Sequence, residues 1–581
     1  MALICGLAGI GQAALAGAAE LPAPAASPAQ PAPMLKPLSG ADAQRYREIF
    51  VLQEQGAWAK ADRVIAALND DVLIGHVLFQ RYMHPTRYRS SYQELRRWLE
   101  HHADHPGATR VYALALKRRG NAAWPRRPEA VPIKVTRGHA APPPYRMTSA
   151  VVKFRRHFMR HVARREYREA DGDFARAIER GIFSADEIGR YGGYLAEKML
   201  ARGQDAAALA TAGRSATHAR GHRYKPDWVA GLAAWRLQDY GLAQRHFEHV
   251  ALAQDAPDSE RAAGAWWAAR AAFLNRDTAV ALQWLASAAR HETSFYGLIA
   301  ERQLGIERPR DWSEPILTQA DWRMLSATPG VKRAAALAQI GEFGLADEEL
   351  RNAWRRAEDA QYRPFLALAA ALGLPGSQFR IALERPAGQA LPLTALYPMP
   401  GWRPEGGFRL DQALIFALVR QESAFRVRAK SHAGARGLMQ LMPRTASYIT
   451  GDRRLVRDRE QRLYDPAFNM ALGQDYLEYL FAHDATYGNL FMVLAAYNGG
   501  PGNVARWDRN VDFKGDPLLF METIPLTETR TYVERVMTNY WLYRMRLGQP
   551  TPSLDAVAAG AWPVYEPADP PAAPQLAEAG R

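Results

Sequence analysis

Thiols are nearly absent from this chain: its single cysteine, Cys5, lies in the opening stretch MALICGLAGIGQAALAGAAELPAPA. Over residues 1–19 that stretch has the apolar, small-residue character of a secretory signal, although no Lys or Arg opens it. Its removal leaves no thiol. This suits an oxidising compartment without demanding disulfides, because a chain of 581 residues buries enough core without them. Lipidation of Cys5 is disfavoured, since the bulky Ile4 stands where a small residue is needed. Long apolar runs are missing too. Nothing downstream approaches the roughly 18 apolar residues of a spanning helix, so an integral membrane segment is excluded from the expectation once the signal is gone.

Acidic side chains are outnumbered, 60 against 74 basic ones, for a net charge of +14. The excess favours an anionic partner: nucleic acid, phospholipid or acidic cell wall. With 48% hydrophobic and 23% charged residues the chain is globular, and its length implies two to four domains. Residues 20–38 and 551–581 are rich in Pro and Ala and are expected to be a tether and a disordered tail.

Helical repeats fill most of what lies between. In WVAGLAAWRLQDYGLAQRHF, residues 228–247, Ala234, Trp235, Asp239, Ala243 and Phe247 align with Ala272, Phe273, Asp277, Ala281 and Leu285. Related patterns occur at 50–62 and 337–350. Each copy reads as helix, polar turn, helix, which predicts a solenoid of hairpins whose Trp and Ala positions form core rather than ligand contacts. The chain is expected to be all-α, with a helical solenoid at 39–320, a small helical linker domain at 321–392 and a compact domain at 393–550 that opens after LYPMPGWRPEGG.

Two local features invite other readings. His101 and His105 have a metal-compatible spacing, but Pro106 and Gly107 end the helix there and no further ligand set completes a site, so no metal is expected. KFRRHFMRHVARREYRE, residues 153–169, is strongly basic. Val151, Phe154, Phe158 and Val162 supply a core stripe, which makes it a solvated basic face.

In the compact domain, RLDQALIFALVRQESAF places Asp411 as a helix cap and Leu414, Leu418 and Glu422 on one face, widened by Ile415 and Phe425. A carboxylate on an apolar stripe is either a helix-end acid paired with Arg420 or Arg426, or a functional group. Downstream, SHAGARGLMQLMPRTA has Gly434 and Gly437 at turns and Pro443 opening a helix. AAYNGGPGNV leaves Tyr497 on a last helical turn, and METIPLTETRTYVERV follows.

These residues carry a resemblance. ES at 422–423, GLMQ at 437–440, AYNGGPG at 496–502 and ETIPLTETRTYV at 522–533 look like the four ordered motifs of lytic transglycosylases with a goose-type lysozyme fold. GHVLFQRYMHPTRYRSSYQELRRWL and SFYGLIAERQLG resemble the large soluble, periplasmic members, in which a ring of helices and a linker domain precede a lysozyme-like catalytic domain.

The resemblance implies cleavage, without water, of the β-1,4 bond between N-acetylmuramic acid and N-acetylglucosamine in peptidoglycan. Glu422 would first act as acid and then as base while a 1,6-anhydro ring closes. An internal hydroxyl supplies the nucleophile, so one carboxyl can serve twice. Its pKa must then be lifted by roughly 2 units, about 2.7 kcal/mol, which an apolar setting such as Leu414, Leu418 and Phe425 can provide.

By the same resemblance Ser423 adjoins the acid and Ser431 bonds an acetamido group. Gln440 and Met442 line the cleft, Tyr497 orients the acid through its hydroxyl, and Asn498 and Glu522 bind substrate. Glu522 has a structural alternative, as a charge balancing Arg530. Arg426-Val427 and His432 depart from the family pattern in the loop that presents Ser431. No cofactor is implied. The partners implied are glycan strands and, beyond them, cell-wall synthesis or division proteins, with no nucleic acid, for a monomer in the periplasm. A hydrolase of the same fold, acting on peptidoglycan or chitin, and a non-catalytic glycan-binding scaffold are the alternatives.

Overall fold

The computed structural model describes residues 35–132, 147–457, 459–510 and 513–568. The signal-like segment 1–19 lies outside them. The described residues form 28 α-helices, joined by short 3-10 turns and isolated bridges, and the protein is all-α. None of these helices is long and apolar enough to cross a membrane.

The repeat is visible as two stacked hairpins, Lys225–Arg236 with Tyr240–Leu252 and Asp258–Leu274 with Thr278–Ala289. Asp239 and Asp277 perform one task in both. Each caps the second helix by accepting a backbone N–H, from Leu242 at 2.9 Å and from Val280 at 3.1 Å. Ala243, Ala281 and Phe247 are buried between the helices, whereas Phe273, the counterpart of Trp235, stands 39% exposed. The approach is close enough to require glycine: a Cβ on Gly264 would lie 2.6 Å from the Ala251 nitrogen.

The solenoid returns to its start. Leu38 and Gln339 exchange two hydrogen bonds, Leu38 N–H to Oε1 at 3.0 Å and Nε2–H to the Leu38 carbonyl at 2.9 Å. Arg333 meets Asp104 at 2.6 Å. Helix Gly40–Glu54 thereby packs on helix Pro329–Ile340, closing the helices on themselves. The end of the expected tether 20–38 is part of this core. Leu35 and Leu38 are buried core residues, and residues 20–34 lie outside the described chain.

In the last domain, helix Gln412–Ser423 is buried on every side from Ala413 to Val419 and packs on the long helix Thr527–Arg546. It is a central helix, not one with a single apolar face. Asp411 stands at its N-terminus, and its carboxylate accepts hydrogen bonds from the Tyr540 hydroxyl and the Ala568 N–H, both at 2.8 Å. The second of these corrects the expected tail as far as residue 568; residues 569–581 lie outside the described chain. Residues 551–568 form helix Pro552–Ala558 and a strap: Leu554 and Val557 are buried, the Leu490 N–H donates to the Pro563 carbonyl at 2.8 Å, and Tyr565 stacks on Phe481. Leu554, Val557 and Tyr565 anchor the stretch despite its Pro and Ala content.

Candidate active site

Glu422 lies in the last turn of its helix, which stops where Ala424 and Phe425 take left-handed conformations (φ 49° and 63°). Neither neighbouring arginine pairs with it. The Arg420 guanidinium donates to the Leu396 carbonyl at 2.7 Å and lies over the rings of Phe379 and Tyr397, and Arg426 donates to the Ser423 carbonyl at 3.0 Å. The partner of Glu422 is Tyr532, whose hydroxyl donates to Oε1 at 2.6 Å. The residue is half-buried. Burial pushes the carboxyl up to about 7; the Tyr532 hydrogen bond opposes the rise and the charge of Glu528 adds to it.

The GLMQ segment is pinned from below. Gly437 has φ 78°, and a Cβ there would stand 2.1 Å from the Leu463 carbonyl oxygen. Asn469 holds the turn. Its Oδ1 accepts the Met439 N–H at 2.8 Å, and its Nδ2 donates to the carbonyls of Leu463 and Arg436. Gln440 is also left-handed (φ 48°), and its Nε2 donates to the carbonyls of Gly437 and Ala429. Met442 is exposed at the start of helix Pro443–Thr450. Ser431 is half-buried, its Oγ accepting the Ala435 N–H at 3.0 Å, with His432 exposed beside it. The departures at Arg426-Val427 and His432 thus sit in a loop closed by its own bonds. Ser423 turns inward, buried, its hydroxyl on the Val419 carbonyl.

Two expected roles change. The Tyr497 hydroxyl donates to the Met439 carbonyl at 2.8 Å and so supports the GLMQ turn, while its ring lies parallel to that of Tyr532 at 6.4 Å. Tyr532 holds the acid instead. Glu522 is 2% exposed, with Oε1 accepting from Tyr296 of the solenoid; Arg530 reaches its carbonyl and also Glu197. Burial holds its carboxyl above the ordinary range. Its buried side chain ties this segment to the solenoid through Tyr296. The exposed acid in this motif is Glu528, which with Asn498, Gly499, Leu526, Thr527 and Thr529 lines a cavity of ≈ 260 Å³. Asn498 is oriented there by the Thr529 hydroxyl at 2.6 Å. Tyr532 and Glu528 both stand in the quoted TETRTY segment, and a check of which acid and which hydroxyl share a face with the helix terminus could have found them.

A cluster of possible metal ligands lies elsewhere, at the ring closure: His76, His105 and Glu349, within 4.8 Å of one another. His101 is not part of it. The Gly107 N–H donates to His105 Nδ1, so His105 Nε2–H donates to His76 Nδ1 at 3.1 Å, and His76 Nε2–H to Glu349 at 2.8 Å. Each lone pair that would hold an ion already accepts a hydrogen bond. Burial pushes His105 far below the usual imidazole range, consistent with a neutral, structural chain.

Glu422 is thus a partly buried, helix-borne acid in the domain that follows the closed solenoid. Residues 403–520 match the family model of the transglycosylase SLT domain. The chain is 38% identical over 144 residues to the soluble lytic murein transglycosylase of Salmonella typhimurium, covering 25% of this chain and 22% of that protein. It is 36% identical over 155 residues to the Escherichia coli protein of the same name, covering 26% and 24%. The matched segment thus spans about a quarter of these relatives' length. The fold as a whole is similar to the X-ray structure of an inactive glutamate-to-glutamine mutant of lytic transglycosylase Slt from Pseudomonas aeruginosa. That likeness has a TM-score of 0.54 and 19% identity, covers 89% of this chain and 88% of that one, and concerns the fold.

Proposed function

We propose that the chain is a lytic transglycosylase that cleaves the β-1,4 bond between N-acetylmuramic acid and N-acetylglucosamine in peptidoglycan. The observation that carries this reading is the Glu422 carboxyl, brought near 7 by burial at the open end of its helix. A carboxyl so placed donates a proton at neutral pH. As the C1–O4 bond breaks, the proton passes to the leaving O4. The C6 hydroxyl then attacks C1, a C1–O6 bond closes the 1,6-anhydro ring, and the Glu422 carboxylate takes the proton from O6. The carboxyl ends as it began, and no water is consumed.

Tyr532 fixes the angle from which the acid works. Ser431, Gln440, Met442, Asn498 and Glu528 would meet the sugars, with the negative Glu528 countering positive charge that develops at C1. Glu528 also favours a second reading, a hydrolase of the same fold, because a second carboxylate could activate water. Mass analysis of products from purified sacculi separates the two: muropeptides ending in anhydromuramic acid, lighter by one water, are expected, and reducing ends alone would reject the transglycosylase. A periplasmic location and a monomeric state complete the proposal. The signal-like opening supports the location.

A further inference from the structure

A line of aromatic rings leads away from the acid. Tyr532 lies parallel to Tyr497, Tyr497 packs on Tyr476 at 5.2 Å, Tyr476 stacks on Tyr479 at 6.2 Å, and Tyr479 meets Tyr448 edge to face at 5.8 Å. Exposure rises along it. Tyr532 is buried, Tyr497, Tyr476 and Tyr479 are half-buried, and Tyr448 is 70% exposed.

Core packing accounts for the inner rings but not for the outer end. Tyr448 belongs to helix Pro443–Thr450, whose buried residue is Ala446, and a ring left mostly in water contributes little of the burial that aromatic side chains usually supply. The elements that carry the outer rings also frame the site. Helix Pro443–Thr450 starts directly after Met442, and helix Pro466–Phe481, which bears Tyr476 and Tyr479, also bears the Asn469 that pins the GLMQ turn.

We infer that Tyr448 and Tyr479 form an outer saccharide subsite, which takes a neutral pyranose ring of the glycan strand beyond the sugars held at Glu422. The C–H faces of an N-acetylhexosamine match an aromatic face without needing fixed charge, and these rings supply faces and hydroxyls, with the His483 ring edge to face against Tyr479 at 5.6 Å. The strand then passes over Tyr448 and Tyr479, and longer strands gain affinity that short ones do not. This subsite rests on the glycan-cleaving reading above and extends it to strand length.

Calorimetric titration of the Glu422→Gln protein with N-acetylglucosamine trisaccharide and hexasaccharide tests it without cleavage. The expected result is a hexasaccharide bound roughly tenfold more tightly than the trisaccharide. Tyr448→Ala should bring that ratio close to one, and Tyr448→Phe should preserve it, because the ring and not the hydroxyl does the stacking. Tyr448 is exposed, so an unchanged melting temperature is expected for both variants. A ratio that survives Tyr448→Ala overturns the subsite while leaving the active-site reading intact. Failure of either oligosaccharide to bind the Glu422→Gln protein overturns the glycan-binding reading and the subsite with it.

Discussion

The Tyr532 hydroxyl donates to Glu422 Oε1 at 2.6 Å across 110 residues of sequence. This bond joins the long helix Thr527–Arg546 to the end of helix Gln412–Ser423 and sets the direction in which the acid faces. It also favours the ionised carboxylate, against the burial that disfavours it.

Removing the bond should therefore raise the acid further. Tyr532→Phe is expected to move the alkaline limb of the pH–rate profile up by roughly one unit, with kcat lowered about tenfold as the carboxyl loses its orientation. A limb that stays in place would show that the bond does not act on the reacting group.

Glu528 acts in the opposite sense, because its charge lifts Glu422. Glu528→Gln should move the alkaline limb down by less than about half a unit, since the group is exposed and screened. kcat should fall more than KM rises, as the counter-charge to the sugar cation is lost. A variant with undiminished kcat would exclude Glu528 from that role.

The acid costs stability, and the sign can be worked out. Below its ordinary value near 4.5, Glu422 is protonated in both folded and unfolded chains and contributes nothing. As pH rises from there to about 7, the unfolded chain ionises while the folded one resists, and stability is lost up to a ceiling of about 3 kcal/mol. Glu422→Gln has no such penalty. Its advantage in denaturant unfolding should grow across that window and level off above it; a constant difference would contradict the assignment.

Lys153, Arg155, Arg156, Arg160, Arg164, Arg165 and Arg168 are exposed along helix Ser149–Arg164, the turn after it and the start of helix Tyr167–Glu179, while Val151, Phe158 and Val162 hold the first helix to the core. Replacing Arg155, Arg156, Arg160 and Arg164 by Ser should weaken binding to sacculi and flatten its salt dependence. Stability should change by no more than about 0.5 kcal/mol. Binding that is unchanged at low salt would remove the face from substrate capture.

Much of this was legible in the residues themselves. Asp239 and Asp277 recur because each hairpin needs a cap at the same place, and local spacing reveals that. Glu422 stood out because a carboxylate had no business on an apolar stretch. What stayed hidden depends on distant packing. Glu522 and Glu528 are six residues apart in one motif, and the first is buried by Tyr296, which lies 226 residues earlier. Tyr497 and Tyr532 are both tyrosines near the acid, and only the register of two helices decides which hydroxyl reaches it. The segment 551–568 hides its anchors in Pro and Ala, because Leu554 and Tyr565 gain their cover from elements far back in the chain.

The most direct test is the titration of the Glu422 carboxyl by infrared difference spectroscopy between the parent and Glu422→Gln. The protonated carbonyl band is expected to persist to about pH 7 and to decline along the same curve as the rate of peptidoglycan cleavage. A carboxyl that ionises near 4.5 in a protein still fully active at neutral pH would contradict the account.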